Sequence, residues 1–137
     1  MDNWLVARMN QRARKQECDR LIFQNAENIY NLLWKEMTKW IEEAQQRGID
    51  VWTNGSPYER QVGFKSVIAE QRQLTLALDK ERQTIAIGGP RLFFVLQLAV
   101  CSDNTVCLKH DGKEIQIGDA AIKILDPFLF PEFAPVS

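Results

Sequence analysis

Cysteine, histidine and paired carboxylates most often carry catalysis or metal binding, and this chain places few of them suitably. Its 137 residues include one histidine, His110, and three cysteines. Neither a Cys-x-x-Cys nor a His-Glu-x-x-His spacing occurs, so no zinc motif is present. His110 precedes Asp111-Gly112, a hairpin-turn dipeptide, and an exposed hairpin tip lacks the pocket and the oriented partner of a general base. We therefore expect no metal ligands and no catalytic residue.

The cysteines are expected to be free thiols. A two-residue turn at Asp103-Asn104 would place Cys101 opposite Val106, so the sulfurs of Cys101 and Cys107 would lie on opposite faces of a hairpin. That register predicts no disulfide, and Cys18 fits a buried helix position. An odd cysteine count without an N-terminal export signal favours a reducing compartment, so the predicted location is the cytoplasm.

Other catalytic patterns are also missing. The sequence has no P-loop and no Gly-x-Ser-x-Gly elbow, and no helix pattern follows Gly88-Gly89-Pro90 to make a phosphate-binding turn. Glu42-Glu43 lie at ion-pairing distance along a helix from basic residues, and Asp79 with Glu81 read as a solvated turn. The sequence thus argues against an enzyme, and no cofactor is expected.

Binding is the better interpretation, and one candidate is a basic N-terminal arm. Its charged side chains are Arg8, Arg12, Arg14 and Lys15. The whole chain has a net charge of −1, and strong salt-dependent binding to nucleic acid requires about six to ten phosphate contacts. Nucleic acid is therefore a second alternative partner, behind another protein.

Large aromatic side chains outside the expected core form the second candidate set. Trp34 lies off the apolar helix stripe, and a large apolar side chain in that position needs a cover from a loop, the C-terminal tail or another subunit. The predicted partner-binding residues are Trp34, Trp52, Phe128, Phe130 and Phe133. They mark an interface wherever the chain does not cover them itself.

A long amphipathic helix is predicted to position these residues. Apolar residues, Trp40 among them, recur at three- and four-residue steps from Cys18 to Ala44, and Gly48 follows as a C-cap. A helix over 4–47 would be about 65 Å long, whereas a compact domain of this size spans under about 40 Å. The first turns must therefore project, bend back or pack on another molecule. We divide the chain into an arm, 1–18, and a single domain, 19–137.

The segment from Gly48 to Tyr58 is interpreted as a connection, and the chain after it alternates with the period of two that is typical of strands. Val62, Phe64 and Ile68 suggest the first strand. The run from Arg91 to Cys101 is apolar on both faces, which predicts a central strand covered on both sides. Asp111-Gly112 predicts a hairpin that pairs Lys109 with Glu114 and Val106 with Ile117. Pairing Asp79 with Arg82 gives an earlier hairpin with Leu76 opposite Ile85. Gly88-Gly89-Pro90 should form a corner between the two.

The C-terminal segment is predicted to be a short helix. Asp119 is its expected N-cap, and Asp126-Pro127 should interrupt it and restart the chain. The predicted fold is therefore α+β: a long N-terminal amphipathic helix packed against a five- to six-stranded antiparallel meander sheet, with a short C-terminal helix. The sheet should curl around the long helix.

The composition, 45% hydrophobic and 26% charged residues, is that of one ordinary globular domain. The sequence has no apolar run of the roughly 20 residues that a membrane span requires. The sequence favours a non-catalytic protein-interaction domain that self-associates as a homodimer or binds an unidentified protein. The main alternative is an apolar small molecule bound between the helix and the curled sheet. Nucleic-acid binding through the arm is the second.

Overall fold

A computed structural model describes residues 2–65, 71–89 and 92–133. Its helices are α1 (Asp2–Gln46) and α2 (Ile117–Leu129), followed by a 3-10 turn at Pro131–Phe133. The strands are β1 (Val51–Gly55), β2 (Glu59–Lys65), β3 (Gln71–Asp79), β4 (Thr84–Gly89), β5 (Leu92–Val100), β6 (Val106–His110) and β7 (Lys113–Ile115). No helix in these ranges has the length and apolar character to cross a membrane.

The strands form one antiparallel meander in the order β1-β2-β3-β4-β5-β6-β7. The α+β prediction is confirmed, but the sheet has seven strands rather than five or six. The additional strand is β1, which we interpreted as a connection after the long helix. Val51 is opposite Phe64 in the ladder with β2, and one apolar residue on the buried face is a weak sequence signal for a strand.

The first helix ends where its sequence predicts. No glycine or proline interrupts 2–46, and Gly48 adopts a positive φ of 90°. The Gly48 amide donates to the Gln45 carbonyl and the Ile49 amide donates to the Ala44 carbonyl. These two bonds form a Schellman motif, which satisfies carbonyls that the helix end leaves without partners. The C-cap prediction at Gly48 is confirmed.

Helix α1 packs on one face of the sheet, where it contacts the strands β1, β3, β5 and β6, and α2 packs against α1. The buried stripe of α1 follows the predicted one except at Trp40, which is 41% exposed while Ile41 beside it is buried, and it meets the inward side chains of the central strands. The fully buried core includes Ala26, Leu33, Met37, Leu74, Leu76, Ile85, Ile87, Leu96 and Ile124.

The opposite face of the sheet is not covered as we predicted for the central strand. Phe93 is 77% exposed, and Gln97 is also exposed. Neither described helix lies on this outer face, where small side chains such as Ala77 and Ala86 sit opposite one another. Small neighbouring residues shield one another partly, so β5 can be apolar on both sides without a second layer.

The hairpin predictions are partly right. Asp111 and Gly112 both have positive φ, and Lys109 is opposite Glu114, as the Asp-Gly turn predicts. Ile117 begins α2 and does not pair with Val106. The earlier hairpin is shifted by two residues, so Leu76 faces Ile87. A shift of two leaves every side chain on its predicted face.

Two predicted breaks are absent. Gly88 and Gly89 extend β4 and pair with β5, so they do not form a corner; Pro90 lies outside the described residues, as does Ile68 of the first predicted strand. Helix α2 begins after Gln116, which makes Asp119 a first-turn residue rather than the N-cap. Pro127 lies inside the last turn of α2, so the predicted restart at Asp126-Pro127 does not occur.

The two hairpin cysteines are bonded, contrary to our prediction. Val100 pairs with Val106, and the Cys101 amide donates to the Thr105 carbonyl, so the loop has three residues rather than two. The odd loop length moves Cys101 onto the same face as Cys107, with their Cα atoms 6.1 Å apart. The result is a disulfide that closes this hairpin, while Cys18 is a half-buried thiol.

Candidate interaction surface

The first four turns of α1 extend beyond the body of the protein. Every side chain from Asn3 to Glu17 is exposed. Among the described residues, the first hydrogen bond from α1 to the strand region is at Asp19, whose carboxylate accepts from Gln83 Nε2, in the turn between β3 and β4, at 2.8 Å. Lys15 also donates to Asp19 at 2.9 Å. Both bonds lower the pKa of the Asp19 carboxyl, and the bond from Lys15 has the larger effect. Residues 3–17 are the exposed part of the predicted arm, 1–18, and from here on the arm means residues 3–17.

The arm carries its basic residues in a defined arrangement. Arg8, Arg12 and Lys15 precede Asp19 and the buried Ile22 at helical steps of four, three, four and three residues. They therefore continue the stripe that is buried further along α1. Arg14 lies off that stripe and, like Arg12, forms no ion pair with any described residue.

The tip of the arm is apolar. Trp4 is 69% exposed and Met9 is 59% exposed, with Leu5 and Val6 between them. These four large apolar side chains lie within two helical turns, spread over more than half of the helix circumference at about 100° per residue, and no other described residue covers them. Exposed apolar surface of this kind marks interaction sites. A surface that fits the arm must therefore be apolar at one end and acidic further along.

An apolar cleft opens at the other end of α1, between that helix and α2. It has a volume of about 380 Å³. Its apolar lining consists of Trp40, Ala44, Ile49, Ile122, Leu125, Leu129 and Phe130. Glu43 and Asp126 contribute carboxylates, and Arg47 pairs with Glu43 at 2.9 Å. Asp126 has no ion-pair partner among the residues that the structure describes.

The five predicted partner-binding aromatics separate into different environments. Phe128 is only 4% exposed and belongs to the core, so it is unavailable to a partner. Trp34 packs against the core and has the Arg60 guanidinium over its ring at 5.5 Å. Phe130 lines the cleft, and Phe133 is largely exposed. Trp52 is partly exposed on the outer sheet face opposite Gly63. The structure therefore does not join these five into one surface.

A second, polar cleft of about 390 Å³ lies near the middle of α1. Arg60 from β2 donates to Asn31 at 2.6 Å and stacks on the Tyr30 ring at 4.6 Å. At its edge, Glu27 accepts a hydrogen bond from Tyr58 and forms an ion pair with Lys80. Both contacts lower the pKa of Glu27, and the contact with Lys80 has the larger effect. Glu27 and Lys80 pair with each other, whereas Arg60 binds the Asn31 amide and the Tyr30 ring, and the latter contacts link α1 to the sheet.

Burial makes Tyr30 a probe of that link. Its hydroxyl donates to the Leu76 carbonyl at 2.8 Å, and desolvation raises the pKa of Tyr30 from 10.0 to about 12. Since the folded pKa exceeds the unfolded one, the neutral phenol contributes stability that is present below pH 10 and lost as the pH rises towards 12.

We predict that Tyr30 ionises near pH 12 in a Tyr58→Phe variant, in which Tyr30 is the only remaining tyrosine. The measurement is tyrosinate absorbance against pH, recorded with circular dichroism to follow unfolding. Ionisation near pH 10 while the protein stays folded would contradict the buried position of the phenol.

Cys18 lies on α1 and His110 on β6, so the free thiol and the histidine belong to different elements. The His110 imidazole is mostly buried, with its ring centroid 4.9 Å from that of Phe94, and is not exposed as we predicted for a hairpin tip. Sequence reasoning also missed the cleft, because it assigned Trp40 to the core stripe, whereas Trp40 is partly exposed there. The signal that could have indicated the cleft is Ile122, an apolar residue of α2 that lies outside the buried face of this helix.

Comparisons with protein-family models, with curated proteins and with solved structures found no match for this chain.

Proposed function

We propose that this protein is a non-catalytic interaction domain that self-associates through the arm of α1. The observation that carries the proposal is the exposure of the whole arm together with its apolar tip, Trp4 to Met9. An isolated helix of fewer than about 12–15 residues is marginal in water. A polar arm with an apolar tip is therefore best stabilised by packing against a partner.

The cleft between α1 and α2 is the surface that fits the arm. Its lining is apolar, as the side chains of Trp4 and Met9 require, and Asp126 offers a carboxylate to the basic stripe of Arg8, Arg12 and Lys15. We propose that the occupant is the arm of a second copy of this chain.

Geometry favours two such contacts at once. The arm and the cleft lie at opposite ends of α1, which is about 66 Å long at ~1.5 Å per residue. Two copies placed antiparallel around a two-fold axis bring each arm to the partner's cleft. Such an interface is isologous and closed, which is the commonest arrangement of soluble homo-oligomers. It also opposes the dipoles of the two long helices.

Substituting the arm tip should weaken the dimer strongly. For a Trp4→Ser, Met9→Ser double variant we expect the dimer dissociation constant to rise roughly thirtyfold or more, equivalent to about 2 kcal/mol for a central apolar anchor. Ile122→Ser, which alters the cleft, should have a comparable effect. Sedimentation equilibrium over a concentration series measures both, and circular dichroism checks that each variant folds.

Phe93→Ser and Phe133→Ser are the matched controls, because each removes an exposed aromatic side chain outside the arm and the cleft. Neither should change the dissociation constant by more than about twofold. A dimer that survives the arm and cleft variants but is lost in Phe93→Ser would move the interface to the outer sheet face and refute the arm proposal.

The cleft also supports a second candidate function, the binding of an apolar small molecule. Its volume of about 380 Å³ lies within the usual range of ligand pockets, about 300–1,000 Å³. The expected place was between helix and sheet, whereas this cleft lies between two helices. A native mass spectrum separates the two functions, since a ligand adds mass to a monomer and self-association doubles the mass.

The state of the cysteines, and not the fold, bears on the cellular compartment. The sequence favoured the cytoplasm, whereas a disulfide between Cys101 and Cys107 is more typical of an oxidising compartment. We propose to decide between them by alkylating thiols in freshly lysed cells of the source. If two more cysteines are alkylated after reduction than before it, the disulfide is present in the cell, which would favour the oxidising compartment.

A further inference from the structure

Three potential metal ligands converge on the outer face of the sheet. Cys101 follows β5, Cys107 lies on β6 and Glu114 lies on β7, and their Sγ and carboxylate oxygen atoms all lie within 4.8 Å of one another. Register explains the convergence. Leu108 and Ile115 face the core in one cross-strand pair, so Cys107 and Glu114, one residue before each, both face outward.

We propose that the reduced protein binds one soft divalent cation of the zinc class through Cys101, Cys107 and Glu114. Two thiolates select such a cation over magnesium or calcium, and a carboxylate is an accepted third ligand of zinc. Three protein ligands leave a fourth tetrahedral position for water. The hairpin then alternates between a disulfide and a metal site.

The chemistry balances with either a phosphine or a dithiol reductant. A phosphine breaks the sulfur–sulfur bond and is oxidised to a phosphine oxide, with water supplying the oxygen atom and the two protons of the new thiols. A dithiol breaks the sulfur–sulfur bond, supplies two electrons and two protons to make two thiols, and is itself oxidised to a disulfide. Cation binding then replaces the two thiol protons, which are released to solvent. Two Zn–S bonds of about 2.3 Å at a tetrahedral angle place the sulfurs roughly 3.8 Å apart. A Cα separation of 6.1 Å permits this by side-chain rotation.

The surroundings of the site keep it available to a cation. Both cysteines are half-buried and Glu114 is exposed, so solvent reaches the ligand atoms. Among the described residues, none donates a hydrogen bond to the Glu114 carboxylate and none forms an ion pair with it. His110 belongs to the inner side, against Phe94, and does not take part.

The test uses the full-length protein, reduced with a phosphine under nitrogen and desalted, with Cd²⁺ as the probe. Thiolate-to-cadmium charge transfer produces ultraviolet absorbance that reports Cd–S bonds directly. We expect the absorbance to saturate at one equivalent of Cd²⁺ for the reduced chain and to be absent for the oxidised chain. Competition with Zn²⁺ should remove the signal.

Three variants assign the ligands. Cys18→Ser should leave the titration unchanged, Cys107→Ser should lose saturable binding, and Glu114→Gln should weaken affinity by roughly tenfold or more while the charge-transfer signal persists at saturation. Binding that survives Cys107→Ser but fails in Cys18→Ser would place the metal elsewhere and overturn the proposal. Unchanged affinity in Glu114→Gln would remove the carboxylate from the site and overturn the three-ligand assignment.

Discussion

Replacing Leu33 by alanine is expected to lower the free energy of unfolding by about 2–5 kcal/mol. Leu33 is 0% exposed at the middle of the buried stripe of α1, among the largest fully buried side chains. Truncation removes its apolar contacts and leaves a cavity between α1 and the sheet, because a packed core closes only partly around a deletion. Urea denaturation followed by circular dichroism measures the change.

The neighbouring residue provides a matched control. Leu32 is 40% exposed on the same helix, so Leu32→Ala makes the same chemical change at a half-open position. We expect the free energy of unfolding to fall by under about 1 kcal/mol, because the side chain of Leu32 buries less apolar area than that of Leu33. Equal costs for the two variants would show that α1 is rotated relative to the sheet from the orientation described above.

The second large effect is expected at Gly63. This residue lies in β2 opposite Trp52, and an added Cβ would lie 1.8 Å from Trp52 Cε2. Gly63→Ala must therefore displace the indole from the sheet. We expect the free energy of unfolding to fall by about 1–3 kcal/mol, the usual cost of forcing extra volume into a packed position.

Two further variants isolate the cause. At Gly88, on the same face, an added Cβ meets only Phe93 at an ordinary 3.8 Å, so Gly88→Ala should be neutral or slightly stabilising. In a Trp52→Ala background, Gly63→Ala should lose most of its cost, because the clashing ring is absent. An undiminished cost in that background would attribute the effect to the β2 backbone instead of to Trp52.

Much of the fold follows from residue spacing. The stripe from Ile22 to Ala44 and the terminating Gly48 give α1 its buried face and its end, because helix periodicity and a positive-φ glycine are local signals. Asp111-Gly112 likewise fixes the register of the last hairpin, since both residues tolerate the turn it requires.

The errors arose where a structural choice depends on distant parts of the chain. Strand β1 exists because it pairs with β2, not because 51–55 alternate in polarity. The disulfide depends on whether the loop after Cys101 has two residues or three, and either length is compatible with Asp103-Asn104. One residue in the loop decides whether Cys101 and Cys107 share a face of the sheet. Composition gave no indication of that choice.

The candidate interaction surface was half predictable. The arm follows from length alone, since a helix of that extent exceeds the diameter of the domain. The cleft could not be predicted, because its lining comes from the end of α1 and from α2, two segments whose packing no local pattern records. For the same reason Phe128 was grouped with exposed aromatics although α2 turns it into the core.

Hydrogen–deuterium exchange of the unmodified chain at several protein concentrations tests the central claim, self-association through the arm, most directly. We predict that amides of residues 3–17 exchange fast in dilute solution and become protected as the mass doubles from 15.8 kDa, while amides of residues 22–44 stay protected throughout. Arm amides that exchange fast at every concentration, with the mass at 15.8 kDa, would contradict the account.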